Sequence, residues 1–162
     1  MVQTQTPAAI KARRPGSVLA IVSILFFLGV TALAGGIAMT FGLGGDQVMV
    51  PEEWLEDIPL IDSWLLPGLV LGLGFGVGSL ITGVAMLKRT RWGWVAPLER
   101  VTGRHWSWLA TVLIGAGHVA WIALELVFLP AVSWFHPLYG AIGLALLLLP
   151  LLPSVEQDLR VD

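Results

Sequence analysis

The sequence predicts an all-α membrane protein, a four-helix transmembrane bundle with both ends of the chain in the cytoplasm. Three observations lead there. The 162 residues are 56% hydrophobic and only 12% charged, with a mean hydropathy of +0.83, so too few polar residues remain to cover a water-facing surface. Four apolar runs, at about 17–42, 65–87, 106–129 and 137–152, divide the chain. The charges between them are segregated. Residues 44–64 hold Asp46, Glu52, Glu53, Glu56, Asp57 and Asp62 and neither Lys nor Arg, whereas Lys11, Arg13 and Arg14 precede the first run and Lys88, Arg89, Arg91, Arg100 and Arg104 follow the second. The positive-inside rule then puts residues 1–16 and the 88–104 connection in the cytoplasm and the acidic loop outside. Residues 17–153 form the transmembrane domain and 154–162 a second cytoplasmic tail.

The first span opens after Pro15-Gly16. Its apolar run exceeds the 7–15 residues of a signal-peptide core, and Ala32-Leu33-Ala34 is its one passable cleavage site, so an uncleaved helix is expected. Ala34, Ala38 and Gly42, with Gly35 and Gly36 beside them, supply small residues for close helix contact. In the outer loop Pro51 can open a short interfacial helix, with Glu52 and Glu53 at its positive end and Trp54, Leu55 and Ile58 on its apolar side.

The second span, Leu65 to Leu87, carries no formal charge and is read as the hub of the bundle. Gly68, Gly72, Gly76, Ser79 and Gly83 recur every three or four residues, and Gly74 and Gly78 form a second pair facing the other way. In lipid such rows act by letting backbones approach closely enough for van der Waals packing. The third span begins Trp106-Ser107-Trp108, as an aromatic belt does, and the fourth begins at Pro137 and is closed by Pro150 and Pro153. Ser63-Trp64-Leu65-Leu66-Pro67 and Ser133-Trp134-Phe135-His136-Pro137 both read SWxxP. That echo fits two parallel hairpins, and equally two independent solutions to entering the membrane.

Chemistry concentrates on the third span. Arg104, Thr111, His118 and Glu125 are spaced by seven and so share one helical face. Ionisable groups are expensive at mid-membrane, and His118 and Glu125 are the candidates for a polar path or ligand site, with Thr31 and Ser79 expected at the level of His118 and Tyr139 and His136 at that of Glu125. The structural alternative is a neutral His118 bonded across helices and a Glu125 hydrated at the interface. A rise of about 10.5 Å separates the two, so a relay between them needs other groups or water. An aromatic substrate cage around Trp121, Trp134 and Tyr139 competes with plain membrane anchoring.

No metal or other cofactor is expected. His118, Glu125 and His136 have ligand chemistry without ligand spacing, and His105 and His136 lie too far from the depth of His118 for bis-histidine haem ligation. The chain has no cysteine, which excludes disulfides and thiolate metal sites, and no long basic tract for nucleic acid. Phosphate-loop, GxSxG, HExxH and kinase motifs are absent.

Pro51-Glu52-Glu53-Trp54-Leu55, Leu66-Pro67-Gly68, Lys88-Arg89-Thr90-Arg91 and His136-Pro137-Leu138-Tyr139 follow one another in an order that resembles small, uncharacterised four-span integral membrane proteins of high-GC bacteria. In size and span number the chain is also similar to DoxX-like proteins, although the thiol chemistry of some of those finds no cysteine here. The resemblance implies an inner-membrane location and no particular activity. The expected function is a non-catalytic accessory or assembly subunit, packing through glycine faces, whose partners are the lipid bilayer and a second copy or a larger complex. A small proton-coupled carrier using His118 and Glu125 is the alternative, and a lipid-acting enzyme at the outer headgroups is a third.

Overall fold

A computed structural model describes residues 14–43, 54, 55, 58, 59, 61–129 and 132–161. The architecture is all-helical: α1 (Gly16–Phe41), α2 (Leu65–Lys88), α3 (Ala96–Thr102), α4 (Trp106–Phe128), α5 (Phe135–Leu148) and α6 (Pro153–Asp158). Among the described residues the sole β pairing is an isolated bridge between Arg104 and Arg160. Helices α1, α2 and α4 are long and apolar enough to cross a membrane; α5 with its closing 3-10 turn, Phe135–Leu151, is shorter. The acids Asp46, Glu52, Glu53, Glu56 and Asp57, with Pro51, Lys11 and Arg13, lie outside the described residues.

The helices pair as two hairpins, α1 with α2 and α4 with α5, and α2 leans on α4 while α1 reaches α5 and α6. Backbone contact holds the first hairpin. A Cβ on Gly36 would stand 2.5 Å from Gly72 Cα and 2.6 Å from Gly68 O, and one on Gly76 would stand 2.9 Å from Leu33 Cα. Gly83 lies at ordinary distance from Phe26. Ala34 and Ala38, expected on the contact face of α1, are exposed and half-buried respectively; Gly29, Leu33, Gly36 and Thr40 meet α2 instead. The second hairpin uses the same device. A Cβ on Gly115 would come within 2.6 Å of Leu147 N, and one on Gly143 within 3.1 Å of Val119 N.

Part of α2 departs from the uninterrupted α-helix expected of it. Val70–Val77 is π-helical. Three glycines in eight residues contribute few side-chain contacts to a regular α turn, and the wider turns keep Gly72 and Gly76 against α1. Gly74 meets open space on the opposite side.

Val18, Ile21, Leu25 and Leu28 of α1 are fully buried with Met86, Leu146, Val155 and Leu159. Outward faces are apolar too: Val30 is 60% exposed, Leu73 61%, Leu113 61% and Val127 73%. Apolar residues on both faces suit a helix solvated by lipid.

The C-terminal segment is not a free tail over the described residues. Val155 of α6 and Leu159 just past its end enter the core, and Arg104–Glu156 and Arg89–Asp158 ion pairs of 2.6 Å flank them. Arg89 ends α2 in the left-handed conformation, φ 54°, with its N–H on Ala85 O. Arg14 donates to Met86 O at 2.7 Å and also to Leu87 O, closing carbonyls that the end of α2 leaves open. Helix α3 has two faces. In α3 and the 3-10 turn before it, Val95 and Glu99 turn inward, while Trp94, Leu98, Arg100 and Val101 stand exposed. This arrangement matches a helix lying in the headgroup layer.

Candidate functional site

Helix α4 carries the ionisable residues because its hydropathic run tolerates them once neighbouring helices cover one face. His118 is 2% exposed, its ring set edge-on to Phe75 and Tyr139 with centres 5.0 and 5.8 Å apart. Neither ring nitrogen has a hydrogen-bond partner among the described residues. Thr31 donates to Phe27 O of its own helix at 2.9 Å, and the buried Ser79 hydroxyl is likewise without a partner among the described residues. Thr31 and Ser79, expected at the level of His118, thus make no hydrogen bond to it among the described residues.

The rest of the seven-residue stripe is divided. Thr111 donates to Ser107 O at 2.7 Å within α4. Arg104 pairs with Glu156 and lies over the Trp108 ring, 4.4 Å from its centre. No hydrogen-bonded chain joins Thr111, His118 and Glu125 among the described residues.

Glu125 instead belongs to a cluster at the other end of the bundle. Its Oε1 accepts the Trp121 Nε1–H at 2.8 Å, and His136 Nε2 stands 3.9 Å from Oε2, beyond hydrogen-bond length. His136 Nδ1 accepts the Ser133 N–H at 3.0 Å, and Nε2 faces the carboxylate. Tyr139, expected beside Glu125, packs on His118, Phe27 and Phe135. Helix α5 starts at Phe135, two residues before Pro137, so His136 takes the level of Glu125 and Tyr139 lies about one turn further along the helix. Trp134 stacks on Phe135 and is 66% exposed, so Trp121, Trp134 and Tyr139 do not make one cage.

Beside Glu125 is a cavity of about 350 Å³, lined by Met39 of α1, Leu66, Pro67 and Val70 of α2, Trp121, Leu124, Glu125 and Phe128 of α4, and Ile58, Pro59, Ile61 and Trp64 of the connection before α2. Trp64 is 9% exposed, and its indole N–H has no acceptor among the described residues. As part of SWxxP it reads as a belt residue; its membership of a cavity wall is set by packing.

A second polar knot, which sequence reasoning did not single out, joins α3 to α4 at the basic end. His105 is 1% exposed and caps α4: Nδ1 accepts the Ser107 N–H at 3.3 Å, and Nε2–H donates to Thr90 O at 3.1 Å. Glu99 accepts the Trp106 N–H at 3.2 Å and stands 3.9 Å from His105. Burial pulls the His105 pKa below its ordinary 6.5, the Thr90 carbonyl and Glu99 oppose this, and Arg89 and Arg91 add to it. The unfolded chain thus takes up the proton first. The stability His105 contributes is fully present above about pH 6.5 and declines as pH falls toward the folded pKa. His105→Asn keeps a capping acceptor and removes the titration, so thermal unfolding in detergent at pH 7.5 and 5.5 should show a smaller acid loss in the variant than in the parent.

Among the described residues no group of three or more His, Asp or Glu could hold a metal ion. Compared with protein-family models, curated proteins and solved structures, the chain finds no match.

Proposed function

We propose that this chain is a four-span integral membrane protein, with α1, α2, α4 and α5 crossing and both termini cytoplasmic, and that it serves as a non-catalytic accessory or assembly subunit. The topology is supported by the gathering of Arg14, Lys88, Arg89, Arg91, Arg100 and Arg104 at one end of the bundle, the end where α6 docks. Residues 135–151 are at the lower length limit for a span.

The isolation of His118 carries the preference for an accessory over a carrier. A proton path needs successive partners within hydrogen-bond reach, and the groups on its stripe bond locally or, like His118 itself, have no partner among the described residues. Gly36, Gly68, Gly72 and Gly76 are consumed in joining α1 to α2, so contact with another chain falls to the outward faces of α2 and α4, where Gly74 permits close approach.

The cysteine-free chain makes labelling direct. A single Asp62→Cys should react with a membrane-impermeant maleimide on intact cells; reaction only after lysis reverses the topology. Purified protein in liposomes should pass protons no faster than empty vesicles. Flux that disappears in His118→Ala or Glu125→Gln would replace the accessory role with the carrier.

A further inference from the structure

The cavity beside Glu125 has the chemistry of a binding site, and its occupant goes beyond the accessory role. We infer that it takes an apolar molecule carrying one cationic amine, with the ammonium at Glu125 and the apolar body between α1, α2 and α4.

The wall is built by tertiary structure, since three helices and residues 58, 59, 61 and 64 before α2 all contribute. Among the described residues its lining is apolar save for the Glu125 carboxyl group and the indole N–H groups of Trp64 and Trp121, and includes neither Lys nor Arg. An ammonium taken out of water needs a counter-charge, which Glu125 supplies, whereas a carboxylate amphiphile would bring like charge against it. Glu125 also has capacity to spare. Trp121 occupies Oε1, and Oε2 has no hydrogen-bond partner among the described residues, His136 being its nearest titratable neighbour at 3.9 Å. The indoles of Trp121 and Trp64 add aromatic surface of the kind that attracts cations. The volume falls in the range of small-molecule pockets.

The second polar feature is a donor. Trp64 lines the cavity, is more than nine-tenths buried, and its Nε1–H has no acceptor among the described residues. A ligand that also offers an oxygen would satisfy it. A compact hydrophobic amine meets the first requirement alone. An aminophospholipid, with its ammonium, phosphate and ester oxygens, meets both.

The test uses the full chain in dodecyl maltoside, with binding of 1-aminoadamantane, 1-adamantanol and 1-adamantanecarboxylate measured by equilibrium dialysis against protein-free micelles. The amine should bind about ten-fold more tightly than the alcohol. The carboxylate should not exceed the micelle blank, and Glu125→Gln should bring the amine to the level of the alcohol. A second arm places the protein in nanodiscs of equal parts phosphatidylethanolamine and phosphatidylcholine, with retained lipid counted by native mass spectrometry. Preferential retention of phosphatidylethanolamine, weakened by Trp64→Phe, identifies the lipid as the source. Retention without preference, together with amine binding, identifies the small amine. Equal binding of amine and alcohol to the parent protein overturns the proposal, as does binding of neither the amine nor phosphatidylethanolamine above its control. These comparisons on the parent stand even if Glu125→Gln misfolds, and their failure leaves the topology and assembly role intact because neither uses Glu125.

Discussion

Gly36→Ala should destabilise the protein by about 3 kcal/mol or more, at or above the upper end of ordinary core overpacking. The added methyl would stand 2.5 Å from Gly72 Cα and 2.6 Å from Gly68 O, and backbone cannot swing aside as the end of a side chain can. The first hairpin must then open along its length, since Gly29, Leu33, Gly36 and Thr40 share one seam with Gly68, Gly76 and Leu80. Gly115→Ala should do the same to the second hairpin, where Leu147 N stands 2.6 Å from the new atom. Gly74→Ala is the control, because its methyl meets nothing within 4 Å. Thermal unfolding in detergent should separate the three variants widely. A Gly36→Ala protein as stable as Gly74→Ala would mean that α1 and α2 do not meet through these glycines.

His118→Leu should have the opposite sign and raise stability by about 1–3 kcal/mol, the cost of a buried polar group left without a partner. The ring sits among Phe75, Tyr139 and their apolar neighbours with both nitrogens unpartnered among the described residues. A leucine of similar volume keeps the packing and removes the desolvation penalty. Denaturation midpoints of parent and variant in the same detergent measure the change. A loss of stability would show that the imidazole bonds to water or to another group in the folded protein, and would revive the polar path. His118→Leu therefore tests the accessory role through folding, without an assay for an unknown substrate.

Hydropathy is a local property, and what depends on it was legible in the chain. Spans expected at 17–42, 65–87 and 106–129 appear as helices Gly16–Phe41, Leu65–Lys88 and Trp106–Phe128. The shorter apolar helix starts at Phe135 rather than Pro137 because a helix leaves its first N–H groups unbonded anyway, so Pro fits anywhere in the first turn. Helix α6 was missed because six residues carry too weak a period to be told from a polar tail, although Val155 and Leu159 were its trace.

Pairing is not local, and it decided the rest. Glycine rows identified surfaces able to touch, but Gly36 rather than Ala34 faces α2, since only one rotation of α1 also buries Val18, Ile21, Leu25 and Leu28. Spacing by seven put Thr111, His118 and Glu125 on one face; the neighbouring helices then enclosed His118 in aromatic rings and left Glu125 at a cavity wall. A tryptophan is amphipathic wherever it stands, so Trp64 and Trp134 in matching motifs read alike, and packing alone buried one and exposed the other. Composition and order along the chain determined that this protein is made of apolar helices and, to within a residue or two, the bounds of its three long ones. Which faces meet, and so which polar groups are satisfied, enclosed or left open, was decided by tertiary structure, because close packing between helices depends on the shapes of both partners at once.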